Sequence, residues 1–265
     1  MNETVTMMVN RSSLRRFSDR KLTEEETNAI LDAAMRAPTA SNMMYYSIIN
    51  LTDPELRSQI QVLCNNQPYV TKAPLALLFC ADYQRLSDLY DANQVPEKCA
   101  EKGAQYLYPS EKHFLNGIED AAFAAENAVI AAESMGMGSV YIGHIKDHYE
   151  EAVKLLDLPP LVFPSLLLLI GYPEENDARK RQPRFDKKYI VHENHYHRQT
   201  PEELEEMYKG RFFHTPNNSL GADNAVQQFY LNKFVKSPTY RNSIRSVHKM
   251  LENWKGAEKI RFEDE

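Results

Sequence analysis

Apolar positions along the chain follow two rhythms. In "LTEEETNAILDAAMRAP" (22–38), Ala29, Ile30, Ala33, Ala34 and Ala37 recur at helical spacing. Thr23 and Glu26 make a capping box at its start, and Pro38 closes it. "DPELRSQIQVL" (53–63) predicts a second helix, with Asp53 as N-cap and Pro54 at the first helical position. "NGIEDAAFAAENAVIAAESMGMG" (116–138) is apolar nearly all round, predicting a long helix buried through the centre of the fold or of an oligomer. Gly136 and Gly138 end it.

"YSIINL" (46–51) and "SVYIG" (139–143) have strand character, while "APLALLFCAD" (73–82) and "FPSLLLLIGYP" (163–173) are continuous apolar runs expected of buried strands. "DHYEEAVKLLDL" (147–158) is an amphipathic helix. Residues 84–113 are polar and show no clear rhythm. From Thr200 the chain is expected to be helical, interrupted by "HTPNNSLGAD" (214–223), and Ser237 and Pro238 sit in cap positions of "SPTYRNSIRSVHKMLENW". Strands and helices alternate without a strict βαβ rhythm, which favours an α+β fold. The expected organisation is a core over 1–198 with a helical C-terminal extension over 199–265.

The 265 residues are enough for a sizeable core, and the apolar share of 43% argues against disorder. A formal net charge of -6 argues against a nucleic-acid partner. Cys64, Cys80 and Cys99 are odd in number and lack metal-ligand spacing, a usage that suits the cytoplasm. No secretory signal is visible, and "LLLLIG" is too short for a membrane span. The expected protein is therefore cytoplasmic, with neither nucleic acid nor membrane as partner.

Conventional catalytic motifs are missing: there is no Walker A loop, nucleophile elbow or H-E-x-x-H. The glycines of "GMGSVYIG" follow a helix and precede a strand, the wrong order for a dinucleotide fingerprint. His192, His195 and His197 cluster, but no cysteine or carboxylate set completes a metal site, and surface hydrogen bonding is their expected role.

"NRSSLRRFSD" (10–19) concentrates charge in an acidic chain. In an extended stretch Arg11, Ser13 and Arg15 share one side while Leu14 turns inward. Guanidinium forks with hydroxyls suit a phosphate, and "ARKRQPRF" (178–185) supplies a second basic group. Solvated arginines before a helix are the plainer alternative. "APTASNMM" (37–44) offers small hydroxyl and amide groups to a flat ligand, or is an ordinary helix C-cap with Asn42 in a turn.

"RSSLRRF", "RAPTASN", "NNQPYVTKAPLALLFCAD", "AAENAVIAAESMGMGSVYIGHIKD", "LLIGYP" with the basic stretch after it, and "VHENHYH" occur in this order. Together they resemble the flavin-dependent nitroreductase family, in its NADPH-preferring oxygen-insensitive nitroreductase and flavin reductase branch, from about residue 9 to 197. The resemblance implies a nitroreductase-like α+β fold, a central, mostly antiparallel sheet packed by helices, and a homodimer with active sites at the interface. It implies tightly bound, non-covalent FMN and NAD(P)H as co-substrate. Hydride would pass from the nicotinamide through flavin N5 to nitroaromatics, quinones or free flavin in a ping-pong cycle, without a catalytic side chain or a metal.

By the same resemblance Arg11, Ser12, Ser13, Arg15, Arg184 and Lys180 would hold the FMN phosphate. Ala40, Ser41, Asn42 and Gln67 would contact the ribityl chain or ring edge, and Tyr141, Ile142, Gly143 and His144 would present backbone donors to the ring. Two departures stand out. Gln182-Pro183-Arg184 replaces the branch's Lys-Pro-Arg, leaving the lysine's task to Lys180 or Arg181. His144 replaces a second glycine, and its side chain is expected to face solvent. Beyond residue 200, where the branch selects its nicotinamide nucleotide, the match fades. A flavin-binding sensor without turnover, and a specialised reductase such as a dehalogenase, are the alternatives.

Overall fold

The two continuous apolar runs become neighbouring strands at the middle of a four-stranded sheet. The structure is a computed structural model that describes residues 1–209, 211 and 221–255. In chain order it begins with α1 (Glu3–Asn10), α2 (Glu24–Met35), β1 (Tyr46–Asn50), α3 (Pro54–Leu63), α4 (Tyr69–Lys72) and β2 (Leu75–Asp82). There follow α5 (Gln84–Ala92), α6 (Val95–Glu101), α7 (Glu111–Ser134), β3 (Gly138–Ile142), α8 (Tyr149–Leu155) and β4 (Val162–Gly171). The remaining helices are α9 (Pro201–Tyr208), α10 (Ala225–Tyr230) and α11 (Pro238–Glu252).

The strand order is β1-β2-β4-β3, and every pairing is antiparallel. This is the expected α+β architecture. In the central pair Leu77 faces Leu168 and Leu75 faces Ile170. The register shifts between Phe79 and Cys80, where Leu166 and Pro164 are the partners, so Ser165 is the extra residue. A proline without an N–H is accommodated in a central strand at such a bulge.

Period-two alternation divides the core. Ala76, Leu78, Cys80, Leu167 and Leu169 face one side, with Ile60, Val70 and Ala152 from α3, α4 and α8 and Cys64 from the C-cap of α3. Leu75, Leu77, Phe79, Leu168 and Ile170 face the other, against Ile30 and Ala34 of α2 and the alanines of α7. Both faces of β2 are therefore buried, as its unbroken hydrophobicity demands.

Helix α7 buries Ala121, Ala124, Ala125, Ala128, Val129 and Ala132. The small side chains allow close approach: a Cβ on Gly117 would lie 2.9 Å from Ala81 Cβ and 3.0 Å from the Tyr45 carbonyl oxygen. Its other face leaves Leu115 and Phe123 exposed, uncovered by the described residues.

The capping signals are realised. Thr23 accepts from Glu26 N while the Glu26 side chain accepts from Thr23 N, and Asp53 accepts from Glu55 N. Tyr240 N donates to Ser237 Oγ at 3.2 Å at the start of α11. Two elements differ from the sequence reading. The stretch 84–113 holds α5 and α6, which bury no residue fully and so carry a weak apolar signal. The helix expected over 147–158 is shorter, because a 3-10 turn, His144–His148, precedes α8. Of the expected break at 214–223, residues 214–220 lie outside the described residues.

The chain forms two compact units: Met1–Arg179 with the described residues of Asn242–Glu265, and Lys180–Arg241. In the first, Met250 and Trp254 are fully buried in a cluster with Ala81, Tyr83, Tyr149 and Phe163. In the second, Thr200 and Glu203 form a capping box for α9, and Lys188 pairs with Glu206 at 3.1 Å.

Candidate functional site

The segment after α1 runs extended beside the start of β3, where Leu14 N donates to the Ser139 carbonyl at 2.8 Å. Leu14 is completely buried and Arg15 and Arg16 are exposed. Close packing here depends on Gly138, whose Cβ would fall 2.8 Å from both Leu14 Cδ2 and Arg179 Nη1.

Arg11 turns inward to a compact polar cluster. Its Nη2 donates to Ser139 Oγ at 3.1 Å, and its Nε lies 3.3 Å from Glu133 Oε1. Ser139 Oγ in turn donates to Glu133 Oε1 at 3.2 Å, closing the triangle. Burial pushes the Glu133 carboxyl above its usual range, against the opposing pull of Arg11, Ser139 and Arg179. Arg179 Nη1 donates to the Ser12 carbonyl at 3.0 Å and pairs with Asp177.

The other arginines differ. Arg16 lies 3.6 Å from Glu174, whereas Arg15 has no ion-pair partner among the described residues. Neither the Ser12 nor the Ser13 hydroxyl has an intramolecular partner among them.

At the far end of β3, Gly143 is exposed, and a Cβ there would meet nothing within 4 Å. The fold itself does not require a glycine at that position. His144 does not simply face solvent: its Nδ1 lies 3.4 Å from Gln67 Nε2. Tyr69 OH donates to Gln67 Oε1 at 2.5 Å, which orients the amide so that Nε2 faces the histidine. Tyr141 points the opposite way, donating to Glu126 at 3.1 Å, and Ile142 is in the core. The side chains of Tyr141 and Ile142 are thus spent on packing, leaving their backbone for other roles.

The segment Ala40–Asn42 is a short 3-10 turn whose residues Ser41 and Asn42 have φ of 53° and 57°, followed by Met44 at 53°. Each of these left-handed residues costs on the order of 1 kcal/mol or more. The opposing support is Asp120, only 1% exposed, whose carboxylate accepts from Ala40 N at 2.9 Å and Tyr45 N at 3.0 Å. Ser41 and Asn42 are left exposed.

The structure therefore places Arg11, Ser12 and Ser13 beside the start of β3, and Gln67 with His144 at its end. Four strand steps from Ser139 to Gly143 separate the two ends by about 13 Å. Lys180 and Arg184 belong to the second compact unit, where both are exposed. Glu133, Ser139, Arg179, Tyr69 and Asp120 were not singled out by sequence. Asp120 had a signal, since it lies at i and i+4 with Ala124 on an alanine face, where a lone acid must be satisfied internally. Among the described residues, no three His, Cys, Asp or Glu side chains group as a metal site. His197 instead contacts Glu203 at 3.0 Å.

The model of the family described as "Nitroreductase family" matches residues 8–172, which contains both ends of this arrangement. An "FMN reductase (NADPH)" of Bacillus subtilis is 36% identical over 230 residues, covering 87% of this chain and 84% of that protein. An "Oxygen-insensitive NADPH nitroreductase" of Salmonella typhimurium is 33% identical, covering 74% of this chain and 75% of that one. The solved structure of NfrA2 from B. megaterium is similar with a TM-score of 0.78 at 26% identity, covering 97% of this chain and 100% of the other. On the family match and these relatives, together with the antiparallel sheet and its long alanine-rich helix, the chain belongs to the nitroreductase family.

Proposed function

We propose that this protein is an FMN-dependent NAD(P)H oxidoreductase acting on nitroaromatics, quinones or free flavin. The observation that carries the reading is the pair of ends on β3: guanidinium and hydroxyl donors at one, open backbone and an oriented amide at the other. That layout suits an elongated ligand with an anion at one terminus and a flat polar ring at the other. The donor set fits FMN: Arg15 has no ion-pair partner and the Ser12 and Ser13 hydroxyls no hydrogen-bond partner among the described residues. The relatives named for FMN reduction and NADPH use support the same reading.

When bound, FMN would supply the redox chemistry, the transfer of reducing equivalents from NAD(P)H to the second substrate in a ping-pong cycle. The protein binds and orients. Arg11, Ser12, Ser13 and Arg15 would hold the FMN phosphate as preorganised donors. Ala40, Ser41, Asn42 and Gln67 would bind the ribityl chain or ring edge, and the backbone of Tyr141, Ile142, Gly143 and His144 would offer donors to the ring. N–H groups held there tune how readily electrons enter and leave the cofactor. Tight, non-covalent retention is part of the proposal, with 1–198 as the FMN-binding core and 199–265 as the helical extension.

The assembly proposed is a homodimer with active sites at its interface, in the cytoplasm. The exposed apolar residues Val5, Met8 and Val9 of α1 and Leu115 and Phe123 of α7 support a partner surface. The free state of Cys64, Cys80 and Cys99 is consistent with a reducing compartment. No helix among the described residues is long and apolar enough to cross a membrane.

The test is the visible spectrum of the purified protein, its bleaching by NADPH and by NADH, and recovery of colour on adding a quinone or nitroaromatic. Bleaching followed by steady turnover is the expected result. A protein that binds flavin without turnover is a sensor, and a colourless protein that takes up no FMN rejects the proposal.

A further inference from the structure

Arg11 is the arginine best placed beside β3, yet its charge is already answered. Its Nε and Nη2 edge faces Glu133 and Ser139, at 3.3 Å and 3.1 Å. The side chains are 20% exposed for Arg11 and 11% for Glu133, so solvent screens the pair weakly. A phosphate approaching Arg11 therefore meets a paired guanidinium. It must share the remaining N–H groups or take the edge that Glu133 occupies.

Resting on the flavin reading above, we propose that Glu133 is a competitor built into the anion cradle, holding Arg11 in an ion pair that a bound phosphate has to displace. Glu133 then sets how easily the phosphate end of the cofactor exchanges. Arg15, exposed and without an ion-pair partner among the described residues, supplies the uncompensated charge that draws the anion in.

Every neighbour of Glu133 bears on its charge. Arg11 comes from the N-terminal segment, Ser139 and Tyr141 from β3, Arg179 from the segment after β4, and Glu126 from its own helix. Arg11, Ser139 and Arg179 favour the carboxylate; Glu126 and burial oppose it, and burial is the largest influence. Protonating Glu133 removes the competitor, so anion binding strengthens as pH falls.

Glu133→Gln keeps an oxygen to accept from Ser139 and Arg11 while removing the charge. FMN release from the full-length protein, followed by flavin fluorescence after dilution, is expected to slow about tenfold, equivalent to about 1.4 kcal/mol. Sulfate keeps one charge state across the range, and its calorimetric binding to the full chain supplies a readout free of flavin. Wild-type affinity for sulfate is expected to rise as pH falls, and Glu133→Gln to bind sulfate more tightly than the wild type with a shallower pH dependence. Where the variant does not fold, a wild-type sulfate affinity that does not rise as pH falls overturns the inference. Unchanged or faster FMN release with unchanged sulfate binding shows that Glu133 only orients Arg11 and overturns the inference, leaving the flavin reading intact. Tighter sulfate binding in a variant that, like the wild type, retains no FMN upholds the competitor and removes the flavin reading.

Discussion

The Asp120 carboxylate, at 1% exposure in the middle of α7, accepts the backbone N–H of Ala40 at 2.9 Å across eighty residues of sequence. Its second oxygen takes Tyr45 N, so one side chain pins both ends of the turn that presents Ser41 and Asn42. Asp120→Asn keeps the shape but offers only one accepting oxygen. We expect a loss of about 2 kcal/mol in urea denaturation and reduced FMN content. An unchanged midpoint together with full flavin would show that the turn holds without the carboxylate.

Arg15 and Arg16 are adjacent and exposed, but only Arg16 has a carboxylate nearby, Glu174 at 3.6 Å. Arg15→Ala is expected to speed FMN release roughly ten- to a hundredfold, the worth of a charge-assisted hydrogen bond, and to leave stability within about 0.5 kcal/mol. Arg16→Ala should alter neither quantity appreciably. Equal behaviour of the two variants would remove Arg15 from the phosphate site.

His144 and Gln67 meet at 3.4 Å, and Tyr69 orients the amide from its other side. His144→Ala leaves Gln67 without that partner and opens space beside Gly143. Bulky quinones should then gain several-fold in kcat/KM while small acceptors change little, read from steady-state kinetics on a size series. A uniform change across the series would place His144 outside acceptor selection.

Glu26 accepts from Tyr172 OH at 2.6 Å, from Thr23 N at 2.8 Å and from Arg20 Nη2 at 2.9 Å. The Tyr172 hydrogen bond, foremost among these, holds its carboxyl below the usual 4.5. A depressed carboxyl contributes stability above its unfolded value and loses that contribution as pH falls through the folded one. Glu26→Gln should therefore flatten the acid limb of stability below about pH 4.5, measured by thermal unfolding across pH. An acid limb identical to the wild type would assign the acid sensitivity to other carboxylates.

Trp254 is fully buried, its ring 5.4 Å from Phe114 and 6.4 Å from Tyr83, with no partner for Nε1 among the described residues. Trp254→Ala should cost about 3–5 kcal/mol by denaturant unfolding, whereas Trp254→Phe, which removes the unpaired N–H, should cost much less. Equal losses would mean that the ring's volume is not what matters at this position.

Much of this architecture was legible because local signals agreed with tertiary demands. Leu75–Asp82 is apolar up to its last residue because helices cover both faces of the sheet, and Thr23 with Glu26 caps a helix wherever it packs. Helices α5 and α6 escaped notice since neither buries a residue fully. At the candidate site Gln67 came only through the family resemblance, whereas the basic N-terminal segment could be named from its side-chain chemistry. Glu133 could not, because an acid on a helix reads as a solvated face until Arg11, from a remote segment, is seen beside it. Arg179 was likewise one of several cations in a basic run, distinguished only by its bond to the Ser12 carbonyl.

The burial of Met250 and Trp254 against Tyr149 and Phe163 also fixes an order of assembly. The first unit is built from both ends of the described chain, so it cannot close while Lys180–Arg241 is still being synthesised. At roughly 5–20 residues per second, several seconds pass between completion of β4 and emergence of Trp254. During that interval the aromatic floor of Phe163 and Tyr149 stays uncovered on the nascent chain. The sole tryptophan reports the moment at which the cover arrives.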